Sequence, residues 1–126
     1  MRGFSLVAAI FILVVLAALG AFMVTIGEAE RWTAAAAVQG ARTYHAAQSG
    51  IEWGIYQTLV AGAPCAPAFA IGGFTVTVTC TPTSFTEGGA TFNVYVITST
   101  AVSTGAALGN PDYFSRTLQV TVTSAP

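Results

Sequence analysis

Charge is what this chain has least of. Charged side chains make up 7% of its 126 residues, against roughly 25% in an ordinary soluble domain. The formal net charge is -1. No basic field is present to hold a phosphate backbone, and there is no acidic tail, so nucleic acid is set aside as a partner. Histidine occurs once, as His45. Any zinc site or Ser/His/Asp triad would have to be built around it. Its neighbours at helical spacing are Arg42, Ser49 and Glu52, which reads as a solvated or interface face rather than acid–base machinery. Cysteine occurs twice, as Cys65 and Cys80, in neither a CxxC pair nor a His/Cys cluster. That is too few ligands for a structural metal. Gly72-Gly73 and Gly88-Gly89 are too short to cradle a phosphate and read as turns. No metal, no cofactor and no catalytic set is therefore expected, and the chain is not expected to be an enzyme.

Proline is absent from Met1 to Ala63, so nothing in that stretch forbids a continuous helix. The first part of it is "FSLVAAIFILVVLAALGAFMVTIG", uncharged from Phe4 to Gly27. As a helix, Phe4–Ile26 would reach about 34 Å, enough to cross a hydrocarbon core of about 30 Å. It is long for a secretory h-region, although Ala18-Leu19-Gly20 has the form of a small-residue cleavage site. Arg2 precedes the run, and Glu28 and Glu30 follow it. Positive charge stays inside, so the N-terminus is expected in the cytoplasm and the remainder outside. Trp32, just past the run, fits an interfacial belt.

Helical sequence continues beyond the run. In "AERWTAAAAVQGARTYHAAQSGIEWGIYQTLV", Tyr44, Ala47, Ile51, Ile55 and Leu59 fall at spacings of three and four and share one face. Arg42, His45, Ser49, Glu52 and Tyr56 form a more polar one. Gly40, Gly50 and Gly54 each cost about 1 kcal/mol relative to alanine, tolerable where a neighbouring element comes close. The expectation is one nearly continuous helix from about Phe4 to about Val60.

After Pro64 the period changes to two. "FTVTVTCT" places Phe74, Val76, Val78 and Cys80 on one face and four threonines on the other. "TFNVYVITST" is apolar on both faces, with Phe92, Val94 and Val96 opposed by Tyr95 and Ile97. "RTLQVTVTS" sets Leu118, Val120 and Val122 against Gln119, Thr121 and Thr123. "SFTEGGA" and "STGAALGNPDYFS" read as the loops between them. Three such strands form an antiparallel meander with one buried face, and a fourth, near Phe69, is left open. The second half of the helix is the available apolar partner, Trp53 packing there or on a neighbouring subunit. The fold class is α+β. Cys65 and Cys80 read most simply as one disulfide closing a loop of about 15 residues, which would contribute roughly 3 kcal/mol. Two free buried thiols are the alternative.

The basic-Gly-Phe start, "RGF", ahead of a long apolar helix resembles the processing site of type IV prepilins. The architecture of long helix, antiparallel sheet and disulfide resembles type IV pilins as a whole. "RGFSLVAAIFILVVLAALGAFMVTI" together with "VQGARTYHAAQSGIEWGIYQ" is similar to the MshP family of biogenesis proteins of the mannose-sensitive haemagglutinin (MSHA) pilus. The likeness covers about the first 57 residues well, and the head in general form through "VYVITSTA" and "SRTLQVTV". It implies cleavage by a prepilin peptidase between Gly3 and Phe4, followed by methylation of the Phe4 amine. It also implies an inner-membrane assembly platform and other pilin subunits as partners through the N-terminal helix. The chain would then divide into a leader at 1–3, a membrane and assembly half at 4–27, an amphipathic half at 28–60 and a β head at 64–126. Major pilins carry glutamate as the fifth mature residue, and counting from Phe4 that position is Ala8. The departure implies a minor pilin, at a tip or initiation complex, rather than the bulk fibre subunit. A type II secretion pseudopilin shares these features. A bitopic protein with a ligand-binding periplasmic head, and a secreted enzyme released after Gly20, are the readings from other classes.

Overall fold

The computed structural model describes residues 2–65 and 68–124, the first of them by its backbone. The expected leader therefore lies outside the described residues at Met1 and at the Arg2 side chain. Helix α1 runs Arg2–Tyr56 and is followed by a wider π turn over Gln57–Ala61. Four strands follow: β1 (Phe69–Ile71), β2 (Phe74–Glu87), β3 (Ala90–Ser103) and β4 (Ser115–Thr123). They form one antiparallel sheet in the order β1-β2-β3-β4. The arrangement is the expected α+β one, with a long apolar N-terminal helix and a sheet packed on its later part. The chain falls into two compact units, Met1–Ala37 and Val38–Pro126.

The first unit is helix throughout its described residues. In the second unit, the period-two pattern of the sequence sets the sheet's faces. Phe74, Val76 and Val78 of β2 and Ile97 and Ala101 of β3 are buried against the helix. Cys80, Tyr95, Leu118, Val120 and Val122 pack around this core, half-buried. The pairing Val76↔Ala101, Val78↔Ser99 and Cys80↔Ile97 keeps these side chains on one face. Of the two apolar faces of β3, the one holding Tyr95 and Ile97 is turned inward, and Phe92, Val94 and Val96 point to the outer face.

The helix face that meets the sheet is turned from the one that hydrophobicity picks out, sharing Ala47 with it and keeping Ile51 and Ile55 at its margin. Thr43, Ala46, Ala47, Gly50 and Gly54 are buried, whereas Tyr44 is 44% exposed and Leu59 41%. Ile51 and Ile55 lie along the margin, half-buried. The reason is distance. A Cβ at Gly50 would fall on the Ser99 hydroxyl and 2.7 Å from Val76 Cγ1. One at Gly54 would lie 2.8 Å from Ile97 Cγ2 and 3.1 Å from Val78 Cγ1. The sheet sits on the helix backbone itself, and only small residues leave room for it. The sequence pattern Ala46-xxx-Gly50-xxx-Gly54 is the seat. Trp53 flanks it and packs on Phe69 of β1, with ring centroids 5.7 Å apart.

One connection is tighter than the sequence predicts, and both Gly-Gly pairs are turns, as expected. "SFTEGGA" is not a loop: β2 continues to Glu87 and β3 begins at Ala90, joined by Gly88-Gly89 alone. Both glycines have positive φ, 59° and 87°, the geometry of a two-residue turn matched to strand twist. The same geometry at Gly72-Gly73 joins β2 to β1, so the fourth strand exists. Beyond β1 no strand among the described residues pairs the outer edge of β2, and Pro82 stands there, where a sheet tolerates a residue without an N–H. The Cys65–Cys80 disulfide forms, with Cα atoms 5.9 Å apart, and ties the segment after the helix to β2.

Candidate functional site: the exposed apolar helix

Residues 3–26 are the chemically distinctive surface. All of them are exposed, with Phe4 83%, Phe11 69%, Phe22 65% and Met23 74% accessible. A helix apolar around its whole circumference and covered by nothing in its own chain needs an apolar solvent or apolar neighbours. This helix is long and apolar enough to cross a membrane. Its backbone is satisfied internally, as lipid requires. Thr25 fits the same rule: its hydroxyl donates to the Phe22 carbonyl at 2.7 Å. Thr33, further on, donates to the Ala29 carbonyl at 2.8 Å.

The small residues Ala8, Ala9, Ala17, Ala18, Gly20 and Ala21 belong to this segment. Each residue turns the helix by about 100°, so these six fall all round the axis instead of along one stripe. Such a helix accepts close neighbours from several directions. Gly3 and Phe4 are both helical and exposed, so the peptide bond between them lies in the first turn of α1. Ala8 is exposed on the same helix and offers only a methyl group.

The remaining candidates do not assemble into a site. His45 is exposed and sits edge-on to Tyr44, ring centroids 5.7 Å apart. Glu52 is exposed, and Trp32 is 59% accessible. Among the described residues no group of three potential metal-binding side chains occurs. A cleft of about 570 Å³ lies beside the disulfide and is lined by Thr58, Pro64, Pro82, Ser84, Asn93 and Tyr95 among others. Among the described residues its lining carries no charged side chain. A shallower one of about 420 Å³ is floored by Ala46, Ile71 and Phe74 and rimmed by Arg42, His45 and Ser49. Sequence reasoning missed the Ser99 hydroxyl, which is buried beneath Gly50 without a hydrogen-bond partner. Its place on the inner face of β3 follows from the period-two pattern, but its lack of a partner could not be read from the sequence. Comparison with protein-family models, with curated proteins and with solved structures found no match.

Proposed function

We propose that the chain is a minor pilin of a type IV, MSHA-like filament, acting by assembly and not by catalysis. The observation that carries this reading is a single helix with two different surroundings. Its first part is apolar and bare on every side; its later part seats a disulfide-tied sheet through small residues. In this reading a prepilin peptidase cuts between Gly3 and Phe4, and the Phe4 amine is methylated. The cut lies on the cytoplasmic side of the span, so the apolar segment is kept, with the head in the periplasm. The segment first anchors the subunit in the inner membrane and then joins the helical core of a filament, under the action of the assembly platform.

Moving from lipid to a bundle of like helices changes the apolar surroundings little, so small differences in packing decide the transfer. Small residues on all sides suit a helix surrounded by several others. The absence of a carboxylate at Ala8 suits a subunit used once, since a repeated core contact would leave each amine unpaired. Intact-protein mass spectrometry of the membrane fraction tests the reading. The expected mass lacks Met1-Arg2-Gly3 and gains one methyl group. An intact N-terminus, or a soluble product beginning near Ala21, refutes it.

A further inference from the structure

The sheet is longer than the helix that covers it. Gly54 of the helix lies against Val78, Cys80 and Ile97, and the π turn stops at Ala61, closed by Gly62 in the left-handed conformation. The β2–β3 hairpin runs on past that level to Glu87 and Ala90. On the inner face of the overhang Pro82 pairs with Tyr95 and Ser84 with Asn93. These four residues line the cleft of about 570 Å³ beside the disulfide, with Thr58 and Pro64 on the helix side of it. That volume is in the range of small-molecule sites, about 300–1,000 Å³.

The polar groups of the cleft are held in place. Ser84 donates to Asn93 Oδ1 at 2.6 Å. The Asn93 main chain is clamped by Ser124, which donates its N–H to the Asn93 carbonyl at 2.9 Å and accepts the Asn93 N–H on its Oγ at 3.0 Å. The Asn93 amide therefore has its oxygen satisfied within the protein, and its Nδ2 donors remain for a ligand. The Tyr95 hydroxyl, two residues along the same face, can donate or accept. Two prolines and the edge of an aromatic ring supply apolar surface between these groups. An ion would find no counter-charge among the lining residues. A wholly apolar ligand would strand the amide donors. The matching ligand is uncharged, carries donors and acceptors around its rim and has C–H surface between them. We propose that this cleft binds a neutral saccharide. Asn93 Nδ2 donates to one sugar oxygen, the Tyr95 hydroxyl bonds a second, and a C–H face of the ring lies against Pro64 and Pro82. Groups fixed before the ligand arrives cost little to order on binding. The proposal rests on the head alone and does not depend on the pilin reading.

Saturation-transfer nuclear magnetic resonance on the full chain, in a detergent that carries no sugar, tests it. The probes are the methyl glycosides of glucose, galactose, mannose and N-acetylglucosamine. At least one of them shows saturable transfer to its ring protons. Asn93→Asp keeps an acceptor for Ser84 but removes the amide donors, and it weakens that binding roughly ten-fold or more. Tyr95→Phe keeps the ring and removes only the hydroxyl, and it weakens binding roughly three-fold or more. Thr79→Ala, at an exposed position on the outer face of β2, leaves binding unchanged. Far-ultraviolet circular dichroism of the three variants matches that of the parent chain. Absence of transfer to all four glycosides, binding that survives both Asn93→Asp and Tyr95→Phe, or an equal loss in Thr79→Ala overturns the proposal.

Discussion

Replacing Gly50 by alanine puts two opposing effects on one atom. In an unencumbered helix the change is favourable by about 1 kcal/mol, because glycine carries more backbone freedom into the unfolded state. At Gly50 the added Cβ falls on the Ser99 hydroxyl, 2.7 Å from Val76 Cγ1 and 3.1 Å from Ser99 Cβ. Val76 and Ser99 are both 0% exposed, so neither can swing into solvent. Overpacking of this kind costs about 1–3 kcal/mol, occasionally more. With the Ser99 hydroxyl and Val76 Cγ1 both inside 3.0 Å of the added Cβ, the cost lies toward the upper end of that range, the clash wins, and Gly50→Ala should lose up to about 2 kcal/mol net. At roughly 4–8 °C per kcal/mol for a domain of this size, the midpoint falls by several degrees.

Gly40 is the internal control, since a Cβ there meets nothing within 4 Å. Gly40→Ala should gain up to about 1 kcal/mol by propensity alone. The measurement is thermal or denaturant unfolding of the full chain in detergent, followed by near-ultraviolet circular dichroism from Trp53 on Phe69. Ser99→Ala closes the cycle. Alone it removes a buried hydroxyl that has no partner and should stabilise by about 1 kcal/mol. Combined with Gly50→Ala it clears the nearest obstacle, so the double variant should recover part of the loss, with a coupling of about 0.5–3 kcal/mol. If Gly50→Ala unfolds no earlier than Gly40→Ala, or if the cycle is additive, the close seating of helix on sheet is wrong.

Two further outcomes follow from the sheet and its staple. Reduction of Cys65–Cys80, or Cys65→Ser with Cys80→Ser, should lower stability by roughly 3 kcal/mol, read as a shift of the denaturation midpoint with and without reductant; an unchanged midpoint would show that the staple constrains nothing. Replacing Gly88-Gly89 with Ala-Ala should strain the turn by about 2 kcal/mol, while Asn-Gly is tolerated. Because residues 81–87 are exposed throughout, the loss should appear as faster amide exchange in that hairpin more than as a lower global midpoint.

The α+β arrangement was legible because each element announces its own period. A proline-free alanine-rich stretch can be little but helix, and "FTVTVTCT" can bury only one face. Two of the three helix glycines singled out, Gly50 and Gly54, carried a readable message, since a cost of about 1 kcal/mol apiece suggests a close neighbour, whereas a Cβ at Gly40 meets nothing within 4 Å. What could not be read was which face that neighbour takes. Hydrophobicity ranks Tyr44, Ile51, Ile55 and Leu59 above Gly50 and Gly54, whereas the sheet selects for proximity. The length of the β2–β3 hairpin was hidden for a related reason. Residues 81–87 are solvated on both faces, so they carry no burial alternation and look like loop. The apolar helix was visible as a possible membrane span, but a sequence holds no information on whether its neighbours are lipids or other helices.

The choice of helix face has a consequence for assembly. Seating the sheet on Tyr44, Ile51, Ile55 and Leu59 would have buried more apolar area, at about 25 cal/mol per Å², and would have spared the two glycines. The structure instead accepts the glycine cost, about 2 kcal/mol for Gly50 and Gly54 together, and gains a tight backbone-to-sheet contact. Ile51 and Ile55 pack at the core's margin, and only Tyr44 and Leu59 of that face stay outside, more than 40% accessible. A protein that ended its interactions at its own fold would gain by burying them. A subunit whose helix must still meet other helices gains by leaving them out, and that difference favours the assembly reading over a solitary anchored domain.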